Sequence, residues 1–261
     1  MKKNIKLKKI YDKAFLKGEE KHFTGKDEQE EDPEFVEVLK GERWKNKKVL
    51  DVGCGTGKLD FLIAKKGAKF CKGVDYSSEA IKIAKNKYEH QNLSFENLDI
   101  NKKFSGKYDV IISVGTLEHQ DNPFDTLKLF KKHLASKGKI IITCPNWTNP
   151  RGYILMTLFH LFDAPITLAD LHFFTPRNFE EWAENLKMEL KWKTFDKSWG
   201  HGEKMIKDLK KRLPKVMNDA NIKNHSKNIQ NLISWLNDKV LPLENENKIS
   251  GASAIYIFSK K

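Results

Sequence analysis

The feature that most constrains the fold of this 261-residue chain is a glycine-rich segment that follows a short apolar run. Val49 to Val52 is mostly apolar, and glycines then stand at positions 53, 55 and 57. The residues after them have the apolar spacing of an amphipathic helix, so the pattern predicts a strand, a tight turn and a helix. Glycine permits positive φ and close approach of a ligand, and the first amides of a helix point outward. We therefore expect the turn to bind a nucleotide-like ligand.

The glycine spacing distinguishes several kinds of site. A dinucleotide-binding turn needs Gly-x-Gly-x-x-Gly, but the third glycine comes one residue early and Lys58 stands in its place. A phosphate loop needs a glycine where Val52 stands and a hydroxyl residue where Leu59 stands. The sequence Val-Leu-Asp-Val-Gly-Cys-Gly-Thr-Gly instead resembles the first motif of class I S-adenosylmethionine-dependent methyltransferases. A glycine-rich turn without a ligand is the remaining alternative.

This resemblance covers about residues 45 to 190 and implies a fold and a cofactor. The fold is α/β, a Rossmann-like three-layer sandwich with a seven-stranded, mostly parallel sheet in the order 3-2-1-4-5-7-6 and strand seven antiparallel. The cofactor is S-adenosyl-L-methionine. We expect one methyltransferase domain over residues 1–261, with a helical N-terminal cap (1–44), a lid-like insertion (147–174) and a helical insertion between strands six and seven (200–251).

Acidic residues follow the second and third predicted strands. Asp75 comes 18 residues after Gly57, near the offset of about 20 residues at which an acid meets ribose hydroxyls in comparable units. The two serines that follow can cap the next helix, which leaves Asp75 available for a ligand. By the resemblance, Asp99 would accept a hydrogen bond from the adenine amino group, and Ile100 would offer its backbone amide to the ring. A helix cap and a surface loop acid are the alternative roles.

The resemblance assigns further cofactor contacts around the same strand ends. The residues expected to bind the cofactor are Asp51, Gly53, Cys54, Gly55, Gly57, Asp75, Tyr76, Asp99, Ile100 and Val114.

Two histidines are candidates for catalytic proton transfer. The apolar run Tyr108 to Val114 predicts a buried strand, and the Leu-Glu-His that ends at His119 is close to a segment of small-molecule methyltransferases of the quinone and sugar kind. The loop after this strand lies where an open α/β sheet binds ligands. An imidazole there is suited to remove a hydroxyl proton. His172 is the second candidate, and a purely structural role is the alternative for both.

The net charge of +13 raises the question of a nucleic-acid partner. Only four of the 48 basic residues are arginine, whose planar guanidinium makes paired hydrogen bonds to phosphates and bases. A generally lysine-rich composition is therefore the favoured explanation. The Asn/Asp-Pro-Pro-aromatic run that is usual in adenine-amino methyltransferases of DNA and RNA does not occur after the fourth strand.

The expected function is transfer of a methyl group to an oxygen or nitrogen of a small molecule, such as a sugar, quinone or lipid-like metabolite. An RNA methyltransferase and a non-catalytic S-adenosylmethionine-binding module are the alternatives. No apolar run approaches the roughly 20 residues of a membrane span, so a cytoplasmic location is expected. The three scattered cysteines predict reduced thiols and no metal site. The oligomeric state stays open.

Overall fold

A computed structural model describes residues 32–99, 105–167, 170–223, 225–242 and 247–260. Most of the predicted N-terminal cap lies outside these ranges, and so does Ile100.

Strands and helices alternate through the first half of the described chain. In order they are α1 (Pro33–Lys40), β1 (Lys48–Val52), α2 (Lys58–Lys65), β2 (Phe70–Asp75), α3 (Ser78–Lys87), β3 (Leu93–Asn97), β4 (Tyr108–Val114), a 3-10 turn (Leu117–His119), α4 (Pro123–His133) and β5 (Leu134–Pro145).

Helices predominate after β5. These elements are α5 (Pro150–Phe162), α6 (Pro176–Asn185), β6 (Met188–Phe195), α7 (Lys197–Gly200), α8 (Glu203–Asp219), α9 (Ser226–Trp235), a π-helical turn (Leu236–Val240) and β7 (Ser253–Lys260).

The seven strands form one sheet in the order β3-β2-β1-β4-β5-β7-β6, with β7 antiparallel, as predicted. Val49 of β1 pairs in parallel with Cys71 of β2 on one side and with Val110 of β4 on the other. The chain thus adds β2 and β3 on one side of β1 and β4 on the other. The carboxyl ends of β1 and β4 meet where the strand order reverses, and open α/β sheets bind ligands at this position.

The central strands are buried because their residues are apolar and largely β-branched. Ile111, Ile112 and the three isoleucines of β5 have no exposed surface, as expected for parallel strands covered on both faces. The pairing of β4 with β5 contains one irregularity. Tyr108 pairs with Leu134 but Val110 pairs with Lys139, so β5 carries extra residues at its start.

The helix starts follow their capping residues. Ser77 is the N-cap of α3 and accepts a hydrogen bond from the Ala80 amide at 3.2 Å, as the sequence predicts. Asn122 and Asn149 cap α4 and α5 in the same way, and a proline stands in the first turn of each helix.

The chain divides into two compact units. The first comprises residues 1–144, 177–191 and 255–261, and the second comprises 145–176 and 192–254. Both predicted insertions lie within the second unit. That unit has its own helical core, in which Leu155 of α5 and Met205 and Leu209 of α8 have no exposed surface.

Helix α5 is apolar on both its inner and its outer side. Leu155 faces the core of the second unit, whereas Tyr153, Leu161 and Phe162 are half to two-thirds exposed. Among the described residues, no helix combines the length and the apolar character that a membrane crossing requires.

Candidate functional site

The glycine-rich loop after β1 is fastened to the carboxyl end of β2. The amides of Gly53 and Cys54 both donate to the carbonyl of Val74, at 2.8 and 3.1 Å, and the Gly57 amide donates to the carbonyl of Cys54 at 3.0 Å. Three backbone hydrogen bonds therefore fix the course of the loop before helix α2 begins.

The three loop positions are glycine for different structural reasons. All three have positive φ. A Cβ at Gly53 would lie 2.2 Å from Thr116 Oγ1, and a Cβ at Gly57 would lie 2.4 Å from the Phe95 ring, so close packing excludes a side chain at both. A Cβ at Gly55 would meet nothing within 4 Å. Gly55 is therefore the position at which the backbone faces open space and a ligand can approach it.

Asp75 holds the loop and the next helix together. Its Oδ2 accepts from the Gly55 amide at 3.0 Å, and its Oδ1 accepts from the Ser77 amide at 2.8 Å. Ser77 caps α3 as expected, but the inference that Asp75 is thereby left without a structural role is wrong.

A buried carboxylate pair lies beneath the loop. Asp51, at the end of β1, is 2% exposed, and Asp60, in the first turn of α2, has no exposed surface. The two carboxyl groups lie close enough for each to affect the pKa of the other. Burial and the neighbouring Asp60 carboxylate raise the pKa of Asp51 well above its usual value. Burial also raises the pKa of Asp60, to about 7.

The sequence analysis included Asp51 but missed Asp60. The signal was present, because Asp60 stands three and four residues before Ile63 and Ala64, on the buried face of α2. The thiol of Cys71 in β2 contacts Asp60 Oδ1 at 3.5 Å. Burial raises the pKa of the half-buried Cys54 thiol in the loop, so this cysteine is protonated and unreactive near neutral pH. All three cysteines of the chain are free thiols, as predicted.

The end of β4 forms the opposite side of the loop. Ser113 Oγ donates to the carbonyl of Val52 at 3.0 Å, and Thr116 Oγ1 donates to the carbonyl of Val114 at 2.9 Å. The Ser113 bond joins β4 to β1, and the Thr116 bond orients the side chain that packs on Gly53. Neither was predicted, because serine and threonine near strand ends are common and have no spacing signature.

The segment after β3 is also joined to Asp75. The Asn97 side-chain amide and the Leu98 backbone amide both donate to the carbonyl of Asp75, at 2.9 Å each. Asp99 follows directly and is half-buried, as is Tyr76 after β2. The ends of β1, β2, β3 and β4 are thus linked by hydrogen bonds. Within the described residues, these strand ends bring together every predicted cofactor residue.

The two histidines lie in different units of the chain. His119 ends the 3-10 turn after β4 in the first unit and is half-buried. His172 belongs to the second unit, where its ring is stacked on that of Phe174, with centroids 5.5 Å apart and planes 5° apart. The catalytic role of each stays a prediction.

Comparisons with known proteins agree with this geometry. A family model described as a methyltransferase domain matches residues 44–232. The ubiquinone biosynthesis O-methyltransferase of Coxiella burnetii is 31% identical over 154 residues, which are 56% of this chain and 65% of that protein. The chain therefore spans slightly less than two thirds of the length of this relative.

Two solved structures share the fold at low sequence identity. Magnesium protoporphyrin IX methyltransferase from Synechocystis PCC 6803, with bound SAH, is 20% identical with a TM-score of 0.50, and the match covers 61% of this chain and 72% of that one. An S-adenosylmethionine-dependent methyltransferase from Mesorhizobium loti is 11% identical with a TM-score of 0.53, over 87% and 96%. Since the family model spans the glycine loop, Asp75 and all but one of the seven strands, the chain belongs to the methyltransferase domain family.

Proposed function

We propose that this protein binds S-adenosylmethionine at the loop between β1 and α2 and transfers its methyl group to a small-molecule acceptor. The open space beside Gly55, at the point where the strand order reverses, carries the proposal. A side chain would fit there without contact, yet the position is glycine with a φ of +52°. A backbone shaped in this way suits a ligand that lies directly on the loop.

The residues around the loop fit the chemistry of this cofactor. Asp75 lies at the carboxyl end of β2 beside the loop, where a carboxylate is suited to accept hydrogen bonds from ribose hydroxyls. Asp99 would accept from the adenine amino group, and the Ile100 amide, outside the described residues, is assigned to the ring. When bound, S-adenosylmethionine supplies a methyl group on a positively charged sulfur. With a pKa of about 7, Asp60 is partly ionised near neutral pH, and this negative charge favours a cation at the loop.

The protein's own contribution to the reaction is mainly alignment. The loop amides that donate to Val74 and Asp75, and the Ser113 hydroxyl that donates to Val52, fix the loop before any ligand arrives, which reduces the entropy lost on binding. Holding two reactants in line in a site without water accounts for most of the acceleration of such transfers. His119, and as an alternative His172, is proposed to remove a proton from a hydroxyl acceptor.

The name of the Coxiella burnetii relative supports the acceptor class. That protein is an O-methyltransferase of ubiquinone biosynthesis, and the two aligned chains share 31% identity over little more than half of the present one. We infer a small-molecule acceptor that is methylated on oxygen or nitrogen.

A calorimetric titration with S-adenosylmethionine and S-adenosylhomocysteine tests the binding site. We expect one equivalent of each to bind, with Gly55→Val abolishing both because its side chain fills the open space. Turnover is tested by following S-adenosylhomocysteine release with phenolic, sugar and amine acceptors. If neither nucleoside binds, the proposal is wrong. If both bind and a broad acceptor panel gives no product, the non-catalytic binding module is the better description.

A further inference from the structure

A basic pocket lies on the first unit, apart from the glycine loop. Its volume is about 440 Å³, within the range of roughly 300–1,000 Å³ that is typical of small-molecule sites. Four lysines line it, Lys128, Lys131, Lys132 and Lys260, together with Phe124, Asn185 and Leu186. No acidic residue is among the described residues that line this pocket.

The pocket lies near the amino ends of the parallel strands, whereas the glycine loop lies at their carboxyl ends. Lys131 and Lys132 are in the last turn of α4, and Leu134, which follows, pairs with Tyr108 at the amino end of β4. The glycine loop instead follows the carboxyl end of β1, and β1 and β4 are parallel. Lys260 closes the pocket from the end of β7, with its Nζ 3.4 Å from the Leu134 carbonyl. The pocket is therefore a separate site.

Two of the four ammonium groups are positioned by main-chain carbonyls. Lys131 Nζ donates to the carbonyl of Leu186, just after α6, and Lys260 Nζ donates to that of Leu134. Carbonyls near a helix end attract cations but leave their charge uncompensated. No ion pair of Lys131, Lys132 or Lys260 occurs among the described residues. The chain thus holds like charges together without matching acids.

One of the other two lysines is placed against an aromatic ring. Lys128 Nζ is 4.5 Å from the centroid of Phe124 and 2.9 Å from Asp125 Oδ1. The Phe124 ring is in turn stacked with Trp182 at 6.2 Å, which limits its motion. With Asp125 counted against the four lysines, the net charge at the pocket is +3.

We propose that this pocket binds a small molecule that carries two adjacent phosphate groups. Two phosphates bring a charge of about −3 to −4 near neutral pH, which matches the pocket, and their oxygens suit several ammonium donors at once. A single phosphate would leave part of the positive charge uncompensated. This site is independent of the proposed methyl transfer, because its residues lie near the amino ends of the parallel strands and the glycine loop lies at their carboxyl ends.

Inorganic pyrophosphate is the probe, titrated calorimetrically into the full-length protein at low salt. The site variant is K131M/K132M, which removes two charges and keeps the aliphatic stems. Its matched control is K207M/K211M, with the same loss of charge on the exposed side of α8. We expect one equivalent of pyrophosphate to bind to the wild type, and the site variant to weaken binding at least about tenfold. The control should bind within about twofold of the wild type.

Three results would overturn the proposal: absence of binding to the wild type, equal weakening in the site and control variants, or binding of an RNA oligonucleotide without binding of pyrophosphate. If K131M/K132M unfolds at a lower temperature, K132M alone decides, because Lys132 Nζ makes no hydrogen bond within the described residues. S-adenosylhomocysteine should bind equally well with and without saturating pyrophosphate. Competition between the two would refute the placement of the site and leave the proposed function untouched.

Discussion

Replacement of Asp60 by asparagine tests the buried carboxylate pair beneath the loop. Asp60 has no exposed surface, and burial raises its pKa from 3.8 to about 7 in the folded protein. An acid with a raised pKa binds its proton more tightly in the folded state than in the unfolded state. The free energy of unfolding is therefore largest below the unfolded pKa and falls as the pH rises through the folded one.

The magnitude follows from the shift. Each pKa unit corresponds to about 1.4 kcal/mol, so a change from 3.8 to about 7 removes about 4 kcal/mol in total as the pH rises from well below 4 to well above 7. About 2 kcal/mol of this loss falls between pH 5.5 and pH 8.5. Asparagine has nearly the same shape and does not ionise. The variant also relieves Asp51 of a neighbouring carboxylate, which lowers the pKa of Asp51 and reduces the slope further.

The measurement is urea unfolding of the wild type and Asp60→Asn at several pH values from 5.5 to 8.5. We expect the wild type to lose at least about 2 kcal/mol more than the variant across this range. Asp163→Asn, at an exposed left-handed position that asparagine tolerates, controls for the change in net charge. Parallel curves for the wild type and Asp60→Asn, within about 0.5 kcal/mol, would refute the raised pKa of Asp60.

Four further substitutions test the site and the second unit. Asp75→Ala should abolish measurable S-adenosylmethionine binding in calorimetry, and His119→Ala should leave this binding intact. Equal loss in both variants would indicate that His119 lies against the cofactor and not against the methyl acceptor. Gly53→Ala combines a left-handed φ with a contact of 2.2 Å to Thr116, so we expect a loss of about 2–4 kcal/mol in urea unfolding, and a loss below about 1 kcal/mol would contradict the contact. Asp208→Ala removes the acid to which the Arg151 guanidinium donates at 2.7 Å. We expect the free energy of unfolding to fall by about 3–5 kcal/mol in the same assay.

The sheet could be predicted because each strand carries a strong local signal. Ile111 and Ile112 stand in an apolar β-branched run, and the isoleucines of β5 follow a lysine-glycine turn. Their order in the sheet, however, came from the resemblance, since local patterns do not determine which strands are neighbours. The start of β5 shows the limit of local signals. The strand begins at Leu134, several residues before the apolar run, because it pairs with Tyr108 across an irregularity.

The sequence predicts those residues of the candidate site whose type and spacing have few other structural explanations. Gly55 and Asp75 follow strand ends at spacings that few other structures require. The helical spacing places Asp60 on the buried face of α2, but its role, like that of Ser113, depends on what lies opposite it in the fold. An acid on the inner face of a helix indicates an unusual environment, but only the structure shows that its neighbour is Asp51.

Asp75 combines two roles that one substitution cannot separate. Asp75→Ala removes the acceptors for the Gly55 and Ser77 amides together with any contact to a ribose. Asp75→Asn keeps one carbonyl oxygen, so it retains part of the loop's hydrogen bonding but replaces the second acceptor with a donor. If Asp75 acts only by holding the loop, Asp75→Asn should lose similar fractions of its stability and of its affinity for S-adenosylmethionine. If it also binds two hydroxyls, the affinity should fall about tenfold or more while unfolding changes by about 1 kcal/mol. Parallel measurement of both quantities in the two variants therefore decides whether the acid touches the ligand or only shapes the loop beneath it.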